Sequence, residues 1–245
     1  MSAGEELFGN VKRRGVRRRP GHLRPVGPPA ASSPQAIARR AAIGIAQATL
    51  LASSAETGAH CRDVTRIADG LCLRLGVRGE ERDLVLAAAR LHDIGKVAIP
   101  DAILGKPAPL DPREWEIMRT HTIAGEEILV AVPELAEVAP LVRHSHERWD
   151  GCGYPDGLAG EEVPLASRIV LCADAFDAIR SDRPYRPGRP ASAALREIRS
   201  HAGRQFEPDV VEALAELVGE AARPIRITAP GRRPRLRLVT APSAT

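Results

Sequence analysis

A chain of 245 residues can bury a sizeable core, and the stretch from about Ser33 to Arg223 is a comfortable length for one folded domain with two tails. Only 3% of the residues are aromatic, which argues against a sandwich of aromatic and β-branched strands and for an all-α fold. The net charge of +4 is segregated: residues 1–30 hold seven Lys/Arg against two Asp/Glu, and residues 221–245 hold six Arg and no acid, leaving −7 between them.

The positive charge therefore lies in Pro/Gly-rich tails rather than on a folded basic face, so nucleic acid is not an expected partner. The acidic middle suits a site that concentrates cations. Cys61, Cys72, Cys152 and Cys172 form no CxxC pair, which excludes a zinc knuckle or disulfide framework and fits a reducing cytoplasm. The most apolar run, Ala41 to Ala52, is shorter than the roughly 20 residues of a membrane span. "VKRRGVRRRP" runs into Pro and Gly rather than an apolar segment, so neither a signal peptide nor an integral membrane segment is expected.

In chain order, residues 1–35 are expected to form a disordered Arg/Pro-rich tail and linker, 36–222 the folded domain, and 223–245 a second disordered tail. Helical patterning starts near Gln35. From His60, the spacing of Val64, Ile67, Ala68, Leu71 and Leu75 predicts a helix capped by Gly76. An alanine-rich helix follows over Glu81–Leu91, with His92 and Asp93 at its end. "LDPREWEIMRTHTIAGEEIL" predicts one helix with Asp111 as N-cap, Pro112 in the first position and Glu114 completing a capping box. Its inner face approximates Trp115, Met118, Thr122 and Ile128, bordering His121. A further helix is expected from Pro133 to about His146, with Leu135, Val138 and Val142 inward. "DGCGYPDGLAGEEVP" reads as a structured loop, followed by helices at Leu165–Arg180, Ala191–His201 and Pro208–Leu217.

The chemistry starts at "LHDIGK". The adjacent His92 and Asp93 offer two metal ligands, and His60, His121 and His146 lie on or beside apolar stripes, where unpaired imidazoles are costly. A metal is an economical common partner, and Asp93 is the natural bridge of a binuclear site.

Together with "HSHERWDGCGYPDG" and "CADAFDAIRSDRPYR", these residues resemble the HD-GYP family, the branch of HD phosphohydrolases acting on cyclic dinucleotides, chiefly cyclic di-GMP. The resemblance covers roughly His60 to Val210. It implies a single all-α HD-type helical bundle with a structured GYP loop, and a ligand set of His60, His92, Asp93, His121, His146 and Asp174. The implied cofactors are two or three divalent ions, iron or manganese, that polarise the phosphodiester and activate a bridging water. Glu56 matches the family position that marks a third ion; equally, it reads as an exposed acid at a helix start. The resemblance gives Lys96, one of only three lysines, a substrate phosphate, makes Arg183 and Arg186 further phosphate contacts, and puts Tyr154 on the nucleotide. His92, Asp93 and Lys96 carry the catalytic roles.

One residue departs from the family pattern. Where the family has a His-His pair, this chain has Ser145-His146. Wound as a helix at about 100° per residue, the segment puts Ser145 and His146 on the face of Val138 and Val142, and His144 on the far side. Serine is a poor replacement for imidazole. Losing a direct ligand should cost at least the roughly 10- to 100-fold that follows from losing a group that only supports one.

The function implied is a cytoplasmic phosphodiesterase opening cyclic di-GMP to pGpG or GMP, weakened at one ion. Two alternatives stand beside it: a degenerate cyclic di-GMP receptor acting through a protein partner, and an HD-type hydrolase of another nucleotide. With no recognisable receiver, PAS or GGDEF domain in the chain, regulation is expected from a partner, the tails or expression level. The resemblance also implies a homodimer contact through Ala36 to Ser54, a segment that equally reads as a helix packed on its own core.

Overall fold

The computed structural model describes residues 34–53, 55–182 and 187–220. The expected tails lie outside them, apart from the first residues of the opening helix. Among the described residues the fold is all-α, with two isolated bridges in place of a sheet.

Helices α1 (Pro34–Ser53), α2 (Ala55–Leu75) and α3 (Glu80–Leu91) form the first layer. The α2 stripe is buried as its spacing predicts, with Val64, Ile67, Ala68 and Leu71 in the core. The helix stops where Gly76 takes φ +71°, and the Val77 N–H returns to the Cys72 carbonyl at 2.8 Å, a Schellman closure with both side chains buried. Glu80, Glu81 and Asp83 in the first turn of α3 oppose its macrodipole favourably. Truncating the fully buried Leu71 to Ala would cost about 2–5 kcal/mol.

A 3-10 turn over Ile94–Ala98 and a short α4 (Asp101–Leu104) lead to α5 (Pro112–Arg119) and α6 (His121–Val130). The Asp111/Glu114 capping box forms as expected. The single helix predicted through this region instead breaks at Thr120, whose N–H and hydroxyl both turn back to the Ile117 carbonyl, at 3.0 and 2.7 Å. Trp115, expected on the inner face, is 47% exposed, because α5 and α6 present their faces independently.

The helix expected from Pro133 to His146 is likewise two pieces, a 3-10 turn over Pro133–Leu135 and α7 (Ala139–Arg143). His144, Ser145 and His146 follow in tight turns rather than on a helix. After the loop come α8 (Leu165–Arg180), α9 (Ala191–Ser200) and α10 (Pro208–Glu220). Helix α8 buries residues around most of its circumference, as befits a central helix packed by α2, α3, α7, α9 and α10. The expected cap of α2 and the start and end of α8 match the structure.

No helix among the described residues is long and apolar enough to cross a membrane. The four cysteines are free thiols, all buried except Cys152.

Candidate metal centre

Five elements send side chains to one place. His60 comes from α2, His92 and Asp93 from the end of α3, His121 from the first turn of α6, His146 from the turn after α7, and Asp174 from α8. Close approach makes the convergence possible at Gly95: a Cβ there would collide with the His121 carbonyl and the Gly125 backbone nitrogen, so the HD turn can lie directly on α6.

Two groups share Asp93. His60, His92 and Asp93 each offer a ligand atom within 4.8 Å of the others, as do Asp93, His121 and His146. Asp174 joins the first group, with Oδ1 3.1 Å from His60 Nε2 and 4.0 Å from His92 Nε2. Backbone carbonyls fix two imidazoles through Nδ1, His92 on Ala89 at 3.0 Å and His121 on Met118 at 2.7 Å, leaving each Nε2 directed towards Asp93.

The electrostatics differ between the groups. Burial alone would push His60 down, but hydrogen bonds to Asp174 and Asp177 and the charges of Asp174 and Asp93 hold it up at about 10. Burial pushes His146 down to about 3, with His121 and His92 adding repulsion, and it also lowers His121. Burial would raise Asp93, yet His92, Lys96 and His121 hold its carboxyl well below the usual range. Burial likewise opposes ionisation of Asp174, and His60, His92 and His146 more than offset it.

Lys96 Nζ lies 2.7 Å from Asp93 Oδ2 at the edge of the site, a third exposed. Tyr154 stacks on His146 with ring centroids 5.2 Å apart. The side chain of Glu56, together with Arg183 and Arg186, lies outside the described residues.

Ser145 is buried, 1% exposed, and its hydroxyl has no hydrogen-bond partner among the described residues. His144 does not replace the missing imidazole: its Nε2 lies 3.0 Å from Asp156 Oδ2. The helix ends too early for a helical-wheel argument to apply, so the tight turns, not a helix face, direct Ser145 inward and His144 aside.

Residues that sequence reasoning missed support the centre from outside. Asp177 is buried and its Oδ2 accepts from His60 Nδ1 at 2.8 Å. It lies three residues after Asp174 on α8, a spacing that puts both carboxylates on one face and could have revealed it. The buried Glu147 accepts the backbone N–H groups of Asp156 and Gly157 at 2.6 and 3.0 Å, tying down the GYP loop. A Cβ at Gly153 would meet the Arg148 nitrogen, Glu147 Cα and the His146 carbonyl, which lets the loop fold back against the ligand turn. Trp149 carries the Arg168 guanidinium over its ring, 5.5 Å from the centroid.

The donor set fits divalent ions. It combines imidazole nitrogens with a shared carboxylate, and His121 Nε2 is buried with no hydrogen-bond partner among the described residues. Fold and donor set together define a helical bundle built around a His/Asp cluster able to hold a divalent metal.

A family model described as an HD domain matches residues 30–210, so the chain belongs to the HD-domain family, in its HD-GYP branch. It is 43% identical over 167 residues to a cyclic di-GMP phosphodiesterase of Thermotoga maritima, covering 67% of this chain and 45% of that protein. It is 42% identical to the 3'3'-cGAMP-specific phosphodiesterase 2 of Vibrio cholerae serotype O1, covering 67% of this chain and 32% of the relative. The chain thus spans only a third to a half of these relatives. Among solved structures, the HD-GYP-type protein Bd1817 of Bdellovibrio bacteriovorus aligns at TM-score 0.54 and 20% identity, over 65% of this chain and 51% of that one. The HD domain of the L. monocytogenes phosphodiesterase PgpH aligns at 0.53 and 16%, over 73% and 99%. Both likenesses concern the fold.

Proposed function

We propose that this chain is a cytoplasmic, metal-dependent phosphodiesterase that hydrolyses cyclic di-GMP to pGpG or GMP. The observation that carries the proposal is the placement of Asp93 in both ligand groups, with the Lys96 ammonium 2.7 Å from its second oxygen. The names of the relatives, phosphodiesterases of cyclic di-GMP and 3'3'-cGAMP, support the substrate class.

In this reading His60, His92, Asp93 and Asp174 hold one ion and Asp93, His121 and His146 hold the other, with iron or manganese matching the donors. Glu56 is assigned to a third ion. Bound ions supply Lewis-acid activation of the phosphodiester and of water. The chain's own residues do the rest. Ala89, Met118 and Asp177 fix which imidazole nitrogen faces the site. Lys96, with Arg183 and Arg186, takes the substrate phosphates, while Tyr154 contacts the nucleotide. Helix α1 leaves Ile37 and Ile45 57% and 71% exposed, which supports self-association through it.

Metal-loaded protein incubated with cyclic di-GMP tests the proposal. Turnover under Fe(II) or Mn(II) is expected, and binding without turnover under every metal would replace it with the second reading. That reading, a receptor acting through a protein partner, is favoured by one observation, the buried Ser145 hydroxyl with no hydrogen-bond partner among the described residues, next to His146 and at the position where the resemblance implies a second histidine. A receptor would keep cyclic di-GMP binding after Asp93→Ala.

A further inference from the structure

A cavity of about 250 Å³ opens beside the ligand turn, lined by Glu116, Arg119, Thr120, Ile123, Tyr154 and Pro155. It is smaller than the roughly 300–1,000 Å³ of sites that take whole drug-sized ligands, and suits a single heterocyclic base. Tyr154 forms the partition: it lines the cavity and also stacks on His146, so a group bound there lies one side chain from the metal cluster.

The lining is chemically selective. Ile123 and Pro155 are apolar, and the Thr120 hydroxyl is already committed to the Ile117 carbonyl at 2.7 Å. The two charged side chains are uncommitted: among the described residues neither the Glu116 carboxylate nor the Arg119 guanidinium makes a hydrogen bond or ion pair, and the Arg119 guanidinium is held 5.4 Å over the Tyr154 ring. They stand three apart where α5 meets the break at Thr120, on one face of the chain.

A carboxylate accepts and a guanidinium donates. Guanine presents that pair of complements, N1–H and N2–H donors beside O6 and N7 acceptors. Adenine puts a lone pair at N1, which a carboxylate repels, and an amino donor where Arg119 needs an acceptor. We propose that Glu116 and Arg119, against Tyr154, form a guanine-selecting base subsite. It rests on the phosphodiesterase reading and deepens it: the substrate must carry at least one guanine, so cyclic di-GMP and 3'3'-cGAMP are accepted and cyclic di-AMP is disfavoured.

The test uses the Mn(II)-loaded full chain and two mononucleotides that carry no phosphodiester. GMP is expected to bind about 10-fold more tightly than AMP. Glu116→Gln should erase most of that ratio by weakening GMP, and Arg119→Ala should weaken GMP more than AMP. The ratio of kcat/KM for cyclic di-GMP over cyclic di-AMP should fall in parallel. Both side chains are exposed, so unchanged thermal unfolding certifies the variants. Equal GMP and AMP affinities, or a ratio that survives Glu116→Gln, in a protein that hydrolyses cyclic di-GMP overturn the subsite and leave the phosphodiesterase reading intact. Failure to bind any mononucleotide or cyclic dinucleotide sinks both.

Discussion

The two ligand groups around Asp93 are built on different principles. The His60 side is rich in carboxylate: Asp174 and Asp177 flank one imidazole and hold it protonated to about 10 in the absence of metal. The His146 side is poor in charge, with His146 pushed down to about 3 and the Ser145 hydroxyl without a hydrogen-bond partner among the described residues. One side attracts a cation and must shed a proton to bind it. The other has neutral nitrogens ready but one fewer ligand. Two ligand groups can therefore differ in charge and in ligand number although they share a single aspartate.

The comparison breaks most completely at the shared residue. Asp93→Ala is expected to empty both groups, taking the metal count from elemental analysis to near zero and turnover down by more than about 100-fold. A variant that kept one tightly held ion would mean that Asp93 does not bridge. Ser145→His attacks the asymmetry itself: it should tighten the second ion by roughly 10- to 100-fold, read by metal titration, and raise kcat. Asp177→Asn should act on the first half alone, weakening the His60-side ion by about 10-fold while the other ion is unaffected.

Proton release separates the halves more finely. His60 must lose a proton to ligate and His146 carries none above about 3, so at pH 8 the first ion bound should release about one proton and the second none. The affinity of the first site should then climb with pH up to about 10, and that of the second should be flatter; a pH-stat titration distinguishes them.

The smallest effect concerns the loop that covers the His146 side. Arg143 holds Asp156 at about 2, below its unfolded value, so this pair stabilises the fold above about pH 4 and its contribution fades as pH falls towards 2. Both side chains are partly exposed, so Asp156→Asn should cost less than about 1 kcal/mol by urea unfolding at pH 7 and still less at pH 3.

Much of the fold was legible because its signals are local. The stripe from Val64 to Leu71, the glycine stop at Gly76 and the Asp111/Glu114 capping box depend on residues within a few positions of one another. Two of the missed boundaries have one cause: Thr120 and the turns after Arg143 carry no Gly or Pro to announce a break, and helical periodicity extends across them, whereas Pro140 in the first turn of α7 did mark the break after Leu135. Trp115 went wrong with those boundaries, whereas Ser145 is turned inward as expected, by tight turns rather than by a helix face. Asp177 was passed over because a buried carboxylate acquires its meaning from His60, 117 residues earlier.

By itself the sequence determined the kind of donors, their order and the family. Those are properties of residue identity and spacing along the chain. Which donors share an ion, which imidazole is buttressed by a carboxylate, where the break at Thr120 turns Arg119 towards Tyr154, and that His144 pairs with Asp156 were decided only by the tertiary structure. Such pairings join residues whose separation in sequence carries no information about their distance in space, and burial then sets how strongly each pair acts.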